Sequence, residues 1–376
     1  MSKKKRQIRA NFRKNRAPRV RESQWTRQFE TAEERHDDLP LEERISGKGD
    51  LTRKRTVLAV EGDQAGKAEV LLDIDEQNCR RGRVLSVHGL TSTVEAEDGS
   101  IYQCATRRLL KTLSTDQRHV VAAGDRVWFR PANPQEGIIE RVEPRHGVLS
   151  RASRGRQHVI VTNVDQLVIV SSAAEPYLKP NLIDRYLVSA ELGGIRPLIC
   201  INKVDLVDPA TLIPLVGVYS QMGYPVHLVS ARTGQGIDRL RRRLAGRQTV
   251  VSGQSGVGKS SLLNAIEPGL GLRVGQVSAE TQKGKHTTTT ARVLPLQNGG
   301  YVVDTPGLRQ FQLWDVIPEE VAGAFRDLRP FVSRCKFPDC THTHEDGCAV
   351  KNAVADGWLD ARRYESYLQM FAGDEA

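Results

Sequence analysis

Residues Gly253-Gln254-Ser255-Gly256-Val257-Gly258-Lys259-Ser260 fit the pattern G-x-x-x-x-G-K-[ST] in full. A loop of this composition dictates what surrounds it. Its glycines let successive backbone N–H groups turn inward around an anion, and the N-terminus of a following helix adds partial positive charge. The flanking sequence agrees. Thr249-Val250-Val251 precedes the loop as a β-branched strand, and Ser261-Leu262-Leu263-Asn264-Ala265-Ile266 follows as a helix that Pro268-Gly269 ends. A strand–loop–helix unit of this kind belongs in a largely parallel sheet with helices on both faces. The same texture runs from about residue 160. Leu167-Val168-Ile169-Val170, Leu198-Ile199-Cys200-Ile201, residues 226–229 and Tyr301-Val302-Val303 read as buried strands. An amphipathic helix opens at Pro180-Asn181, runs from Leu182 to Leu192 and stops at Gly193-Gly194.

The glycine loop by itself implies a nucleoside triphosphate, with Lys259 reaching the β- and γ-phosphates and Ser260 ligating Mg²⁺. Other segments narrow the base to guanine. Asn202-Lys203-Val204-Asp205 follows a buried strand and reads N-K-x-D. The Asp205 carboxylate can accept both N1–H and N2–H₂ of guanine, a donor pair adenine lacks, while Asn202 braces the loop and Lys203 lies along the base. Ser230-Ala231-Arg232, after the strand at 226–229, resembles the S-A-K loop whose backbone N–H meets guanine O6. Asp304-Thr305-Pro306-Gly307 reads D-x-x-G, with Asp304 placed to hold Mg²⁺ and the Gly307 N–H to meet the γ-phosphate. Between them, Gly284-Lys285-His286-Thr287-Thr288-Thr289-Thr290 offers four threonines, one of which can close onto Mg²⁺. The nucleotide-binding set is therefore residues 202–205, Ser230, Ala231 and the loop from Gly253 through Gln254, Ser255, Gly256, Val257, Gly258, Lys259 and Ser260 to Ser261.

The order of these loops is rotated. The usual cycle runs phosphate loop, Thr switch, D-x-x-G, N-K-x-D, S-A-K. Here the last two come first. A circular permutation leaves the spatial site intact, because domain termini often lie close together. It also makes the segment after Asp304 lead directly into the C-terminal region.

That region carries Cys335, Cys340, His342 and Cys348, a C-x4-C-x-H-x5-C array. Three thiolates and one imidazole form a closed tetrahedral set of the structural-zinc kind, with His344 as a rival for the imidazole. A last helix is expected from about Ala361 to Phe371. Upstream, residues 69–148 hold about five short alternating strands punctuated by turns such as Glu97-Asp98-Gly99-Ser100. Five strands in eighty residues suit a small barrel, and an OB-fold fits best. Arg80, Arg81, Arg83, Arg107, Arg108 and Lys111 flank those strands, which suits an RNA-binding barrel and equally a soluble surface.

Residues 1 to about 68 are polar and charged, with Trp25 and Phe29 as a possible short anchor, and read as a mostly disordered extension. Its first 21 residues hold ten Lys/Arg and no acid, in a chain of 376 residues with net charge +10. Such an arm suits a polyphosphate partner or a solvated tail. No apolar run reaches the roughly 18 residues of a membrane span, so a cytoplasmic chain without a membrane partner is expected.

Taken together, these residues resemble the circularly permuted ribosome-assembly GTPases of the RsgA (YjeQ/YloQ) family. G-Q-S-G-V-G-K-S-S at 253–261, N-K-V-D at 202–205, D-T-P-G at 304–307 and the Cys/His array stand in the family's order over about residues 69–372. The resemblance implies a multidomain α/β chain: an OB-fold β-barrel (69–150) after the extension (1–68), a circularly permuted P-loop GTPase domain (151–315) and a C-terminal helical zinc-binding domain (316–376). It implies GTP hydrolysis stimulated by the small (30S) ribosomal subunit, a role in late 30S maturation, and 16S rRNA as partner. Leu308 stands where Ras-like enzymes carry a water-orienting Gln, and the family parallel gives that task to His286. Two other readings remain open on the residues: a nucleotide-gated RNA-binding module with negligible turnover, and a P-loop ATPase or kinase with a fortuitous N-K-V-D. A monomer is the default.

Overall fold

The computed structural model of the chain describes residues 6–11, 54–61, 68–72, 74–106, 120–153, 156–272, 291–304 and 318–373. They fall into two compact units that divide between Asp75 and Glu76. The first contains an antiparallel sheet of β1 (Arg6–Asn11), β2 (Lys54–Glu61) and β3 (Ala68–Leu72), in the order β1-β2-β3. The sequence predicts no regular structure before residue 69, and β1 and β2 depart from that. Their basis is local. Thr56-Val57-Leu58-Ala59-Val60 and Val70-Leu71-Leu72 are short β-favouring runs that pair in register, Val57 opposite Leu72. Highly charged flanks mask runs of that length in a composition reading. Trp25 and Phe29 lie outside the described residues.

The second unit starts with the expected barrel. Strands β4 (Arg80–His88), β5 (Thr91–Ala96), β6 (Ile101–Thr106), β7 (Arg126–Pro131) and β8 (Glu136–Val142) close in the order β4-β5-β6-β8-β7. All neighbours are antiparallel except β6 and β8, which run parallel. That is the five-stranded Greek-key closure of an OB-fold. Val84, Val94, Cys104, Phe129 and Ile139 point inward and are essentially solvent-free, as period-two alternation requires. A hairpin, β9 (Leu149–Ser153) with β10 (Arg156–Val161), leads to the α/β core.

The core sheet comprises β11 (Gln166–Ser172), β12 (Arg196–Asn202), β13 (Val226–Leu228), β14 (Gln248–Ser252), β15 (Arg292–Pro295) and β16 (Tyr301–Asp304). Their order is β13-β12-β11-β14-β16-β15, all parallel except the edge strand β15. Every residue of β11 and β14 is buried, which accounts for the apolar runs Leu167-Val168-Ile169-Val170 and Val250-Val251 at their centres. Alternate side chains of β11 feed two cores. Leu167 and Ile169 pack with α1 (Pro180–Leu192) and α2 (Ile213–Gln221), and Val168 and Val170 pack with α3 (Ile237–Leu244) and α4 (Lys259–Ile266). Helix α3 shows the pattern plainly: Ile237, Leu240 and Leu244 are buried, while Arg239, Arg242 and Arg243 stay out of the core.

The barrel grips the amino ends of the sheet strands. Arg83 donates to the Gln248 side chain at the start of β14 and stacks 4.1 Å above the ring of Tyr301 at the start of β16. The Tyr301 hydroxyl donates to Glu95 Oε2 at 2.9 Å. Arg83 is thus an interdomain clamp rather than part of the solvent-facing basic flank the sequence suggests, and burial lowers its pKa. Beside it, Gly124 adopts φ +89°, and a Cβ there would meet Thr162 O at 2.2 Å. Only glycine permits this approach of barrel to core. Arg107, Arg108 and Lys111 lie outside the described residues.

The last layer is helical: α5 (Pro318–Ala324), α6 (Arg329–Val332), α7 (Ala349–Ala355) and α8 (Ala361–Ala372). Asp360 caps α8 by accepting the N–H groups of Arg362 and Arg363, and Gly373 ends it at φ 76°. Val188 of α1 enters the core of this layer with Phe325, Leu328 and Tyr367. The joint is held by Arg363, which donates to Asp184 Oδ1 at 2.6 Å and Asp327 Oδ1 at 2.9 Å. Tyr219 Oη adds a bond of 2.8 Å to the same Asp184 oxygen. Asp184 and Arg363 are only 1% and 2% exposed. Removing one partner of such a pair strands a buried charge, at a cost of about 3–5 kcal/mol. Arg363→Met is expected to lower the unfolding free energy of the full chain by about that amount in urea titration. Arg363→Met combined with Asp184→Leu is expected to recover at least half of the loss, because no charge is left unpaired at Asp184.

Candidate nucleotide site

At the carboxyl ends of β11, β12 and β14 three loops meet, as expected of an open parallel sheet. Gly253 leaves β14 at φ +148°, and a Cβ there would lie 2.0 Å from Val170 O. The phosphate loop can hug β11 only because residue 253 has no side chain. The loop ends at Gly258 (φ +89°), and α4 begins at Lys259, so the helix N-terminus faces the loop. The Lys259 ammonium donates to the Gly253 and Gln254 carbonyls at 2.7 and 2.8 Å, which holds it across the mouth of the loop. Ser260 and Ser261 sit in the first turn of α4, half-buried.

Asn202 is the hub. It is 1% exposed. Its Nδ2 donates to Val257 O at 2.9 Å, and its Oδ1 accepts from Ala231 N at 3.1 Å. One amide therefore ties the N-K-x-D loop to the phosphate loop and to the Ser-Ala loop. Lys203, at φ 63°, directs its ammonium to Gly256 O at 2.9 Å and to the Glu175 carbonyl. Val204 is buried, and its N–H donates to Val229 O at 3.2 Å. Asp205 follows in a short 3₁₀ turn. Ser230 Oγ donates to Asp205 Oδ1 at 2.5 Å and accepts Thr233 N at 3.1 Å. The Ser230 hydroxyl, aided by Arg232, keeps the Asp205 carboxyl below its ordinary pKa. It is an ionised acceptor at neutral pH, as recognition of two guanine N–H groups requires.

β16 runs beside the phosphate-loop strand, pairs Val303 with Val250, and ends at Asp304. The carboxylate-bearing position thus lies at the same end of the sheet. Gly307, His286 and the threonines 287–290 lie outside the described residues. Two contributors escape a sequence reading. Glu175, in the loop after β11, supplies a carbonyl to Lys203, and Arg232 reaches Asp205 Oδ2 at 2.6 Å. Glu175 belongs to no motif, and Arg232 stands at the third position of the Ser-Ala loop, where the sequence gives no hint that its guanidinium turns onto Asp205.

The second candidate site lies in the helical layer. The donor atoms of Cys335, Cys340, His342 and Cys348 all fall within 4.8 Å of one another. His342 Nδ1 stands 3.4 Å from Cys335 Sγ and 3.5 Å from Cys348 Sγ, and those two sulphurs are 3.9 Å apart. A tetrahedral ion with metal–sulphur bonds of about 2.3 Å and a metal–nitrogen bond of about 2.0–2.1 Å has edges of about 3.8 and 3.5 Å. The donors are spaced to fit. Burial pushes the Cys340 thiol up to about 12, and the adjacent sulphurs push the same way. Three thiolates packed this closely need a cation between them. His344, the rival ligand, bonds to Thr343 Oγ1 at 2.9 Å, is exposed and lies outside this four-donor cluster. Tyr364 and Tyr367 of α8 donate to the His342 and Thr341 carbonyls at 2.7 and 2.5 Å, fixing the loop that presents the imidazole. Among the described residues, no helix is long and apolar enough to cross a membrane.

Comparison with known proteins agrees with this geometry. The family model described as RsgA GTPase matches residues 142–314. The small ribosomal subunit biogenesis GTPase RsgA of Sodalis glossinidius is 42% identical over 302 residues, covering 78% of this chain and 85% of that protein. The protein of the same name from Azotobacter vinelandii is 40% identical over 341 residues, covering 88% and 93%. The crystal structure of YjeQ from Thermotoga maritima superimposes with a TM-score of 0.67 at 37% identity, covering 78% of this chain and 98% of that one. That of YloQ, a circularly permuted GTPase, gives 0.63 at 30% identity, covering 80% and 96%.

Asn202→Ala would leave the Val257 carbonyl and Ala231 N–H without their partner, each worth about 1–3 kcal/mol when buried. Guanine-nucleotide affinity is expected to fall at least about tenfold, measured by titration with fluorescent GDP.

Proposed function

The chain belongs to the RsgA family of GTPases, and from that premise we propose that it hydrolyses GTP to GDP and phosphate in response to the small ribosomal subunit, during late 30S maturation. The observation that carries this reading is the Asn202 hub. It unites a guanine-selective carboxylate at Asp205 with a phosphate loop at 253–260. A site with both ends binds a guanosine polyphosphate rather than an adenosine one.

Within that site Lys259 binds the β- and γ-phosphates, exchanging its two carbonyl partners for phosphate oxygens. The N–H groups of Gly256 to Ser261 surround the β-phosphate at the start of α4. The Ser260 hydroxyl and the Asp304 carboxylate are the groups that would hold Mg²⁺, which supplies charge neutralisation across the β- and γ-oxygens. The Gly307 N–H meets the γ-phosphate, and its contact is lost with that group, so the following segment senses hydrolysis. His286 orients the attacking water in place of the glutamine that Leu308 cannot provide. The barrel and the helical layer hold 16S rRNA. Arg81, exposed and stacked 4.6 Å over the buried ring of Trp128, adds a cation to the barrel surface. The Cys335, Cys340, His342 and Cys348 set would hold one zinc ion, which would supply structural cross-linking of the helical layer rather than chemistry.

Turnover measured with and without 30S subunits tests the central reading. A clear rise on addition of subunits is expected, and Lys259→Ala is expected to abolish it, since removing a principal electrostatic contact to the phosphates typically costs about 10²–10³ in rate. Equal turnover with and without subunits would overturn the ribosomal assignment. For the metal, elemental analysis is expected to find one zinc per chain. Cys340→Ser is expected to lose it and to lower the melting temperature, while His344→Ala keeps it.

A further inference from the structure

We propose that Arg232 is an internal competitor for the base: its guanidinium occupies the Asp205 carboxylate oxygen that guanine must engage, and so it sets how tightly the site holds guanine nucleotides. This deepens, and rests on, the reading of Asp205 as the guanine selector.

The argument starts from the two oxygens of Asp205. Oδ1 accepts from Ser230 Oγ at 2.5 Å. The Ser230 oxygen is itself engaged by Thr233 N at 3.1 Å, so its single hydrogen is committed to Asp205 and the loop fixes this bond. Oδ2 is held differently. Arg232 Nη2 lies 2.6 Å from it, at the end of a long side chain that is 73% exposed, whereas the Asp205 side chain is 10% exposed. One oxygen is thus fastened by the loop framework and the other by a displaceable cation.

The chemistry of the competing groups matches. The edge that guanine presents to a carboxylate is N1–H, C2 and N2–H₂, two nitrogens on one carbon with their N–H bonds side by side. That is the guanidine fragment Arg232 also carries, planar and forked to suit a carboxylate. A guanine entering against Asp205 replaces one guanidine-type donor by another. Adenine presents a bare N1 acceptor beside N6–H₂ and cannot make that exchange. Arg232 therefore keeps Asp205 ionised and aligned, and also raises the threshold a base must pass. Ion pairs with one exposed partner contribute little, so the competition amounts to about a two- to fivefold effect rather than a block.

The test is fluorescent-nucleotide binding by the full chain in two backgrounds. Arg232→Ala is expected to tighten GDP binding by about two- to fivefold, chiefly through faster association. High salt is expected to shrink the difference between the two proteins, since the exposed ion pair is screened. Asp205→Asn places an amide donor where a carboxylate oxygen stood, which suits the C2 carbonyl of xanthine. Preference should move from GDP to XDP, and this arm examines the guanine-selector reading on its own. In the Asp205→Asn background, which carries no ion pair, adding Arg232→Ala should leave XDP affinity unchanged. If Arg232→Ala weakens GDP binding, or changes XDP affinity in the Asp205→Asn background as much as it changes GDP affinity in the native one, Arg232 acts by stacking or general attraction and the proposal is overturned. If Asp205→Asn produces no shift towards XDP, the selector reading itself fails and takes the competitor role with it.

Discussion

The Asn202 side chain holds the nucleotide site together. Its amide is buried, and both ends are used: Nδ2 on Val257 O, Oδ1 on Ala231 N. The three loops it joins come from three separate stretches of chain, and no covalent proximity brings them together. A buried amide with both ends satisfied gives such a junction direction as well as stability, because any displacement of one loop leaves a polar group unpaired in a dry environment. The phosphate loop cannot retreat from β11 without breaking the close approach of Gly253 to Val170, and it cannot shift sideways without releasing Asn202. The preorganised geometry for binding a guanosine polyphosphate follows from these two contacts.

The layers around this junction attach to different parts of the sheet. The barrel holds the amino ends of β14 and β16 through Arg83, Gln248 and Tyr301. The helical layer holds α1 through Asp184, Arg363 and Val188. On the opposite flank of the same helix, Tyr186 lies against Ser252 and Gly253 at the start of the phosphate loop. Helix α1 is therefore packed on both sides, which accounts for its nearly continuous burial from Ile183 to Ala190.

Much of this was legible in the sequence. The phosphate loop between β14 and α4, the N-K-x-D turn after β12 and the Cys₃His array each carry their chemistry in a few contiguous residues. The strands of the core read as apolar runs because they are buried on both faces. Other features were not legible, for stated reasons. The β-strands at 6–11 and 54–61 are set among charges, so composition outweighed their local propensity. Arg83 reads like any other arginine on a barrel strand, and its inward turn depends on Gln248 and Tyr301, which are 165 and 218 positions away. The choice of His342 over His344 is a matter of loop direction. His342 takes φ 59°, which aims its ring at the sulphurs while Tyr364 and Tyr367 anchor its backbone.

The sequence by itself determined the identity of the chemical groups: the anion cradle, the guanine-selective carboxylate, the zinc-type donor set and the rotated order in which they occur. These are local, because each rests on residue types at short spacing. The tertiary structure alone decided which groups meet. It placed β14 between β11 and β16, so that loops in rotated chain order still form one site. It buried Arg363 against Asp184 across 179 positions and brought Arg232 onto Asp205. Pairings of that separation follow from sheet order and helix packing, which fix where a side chain lands only once the whole core has closed.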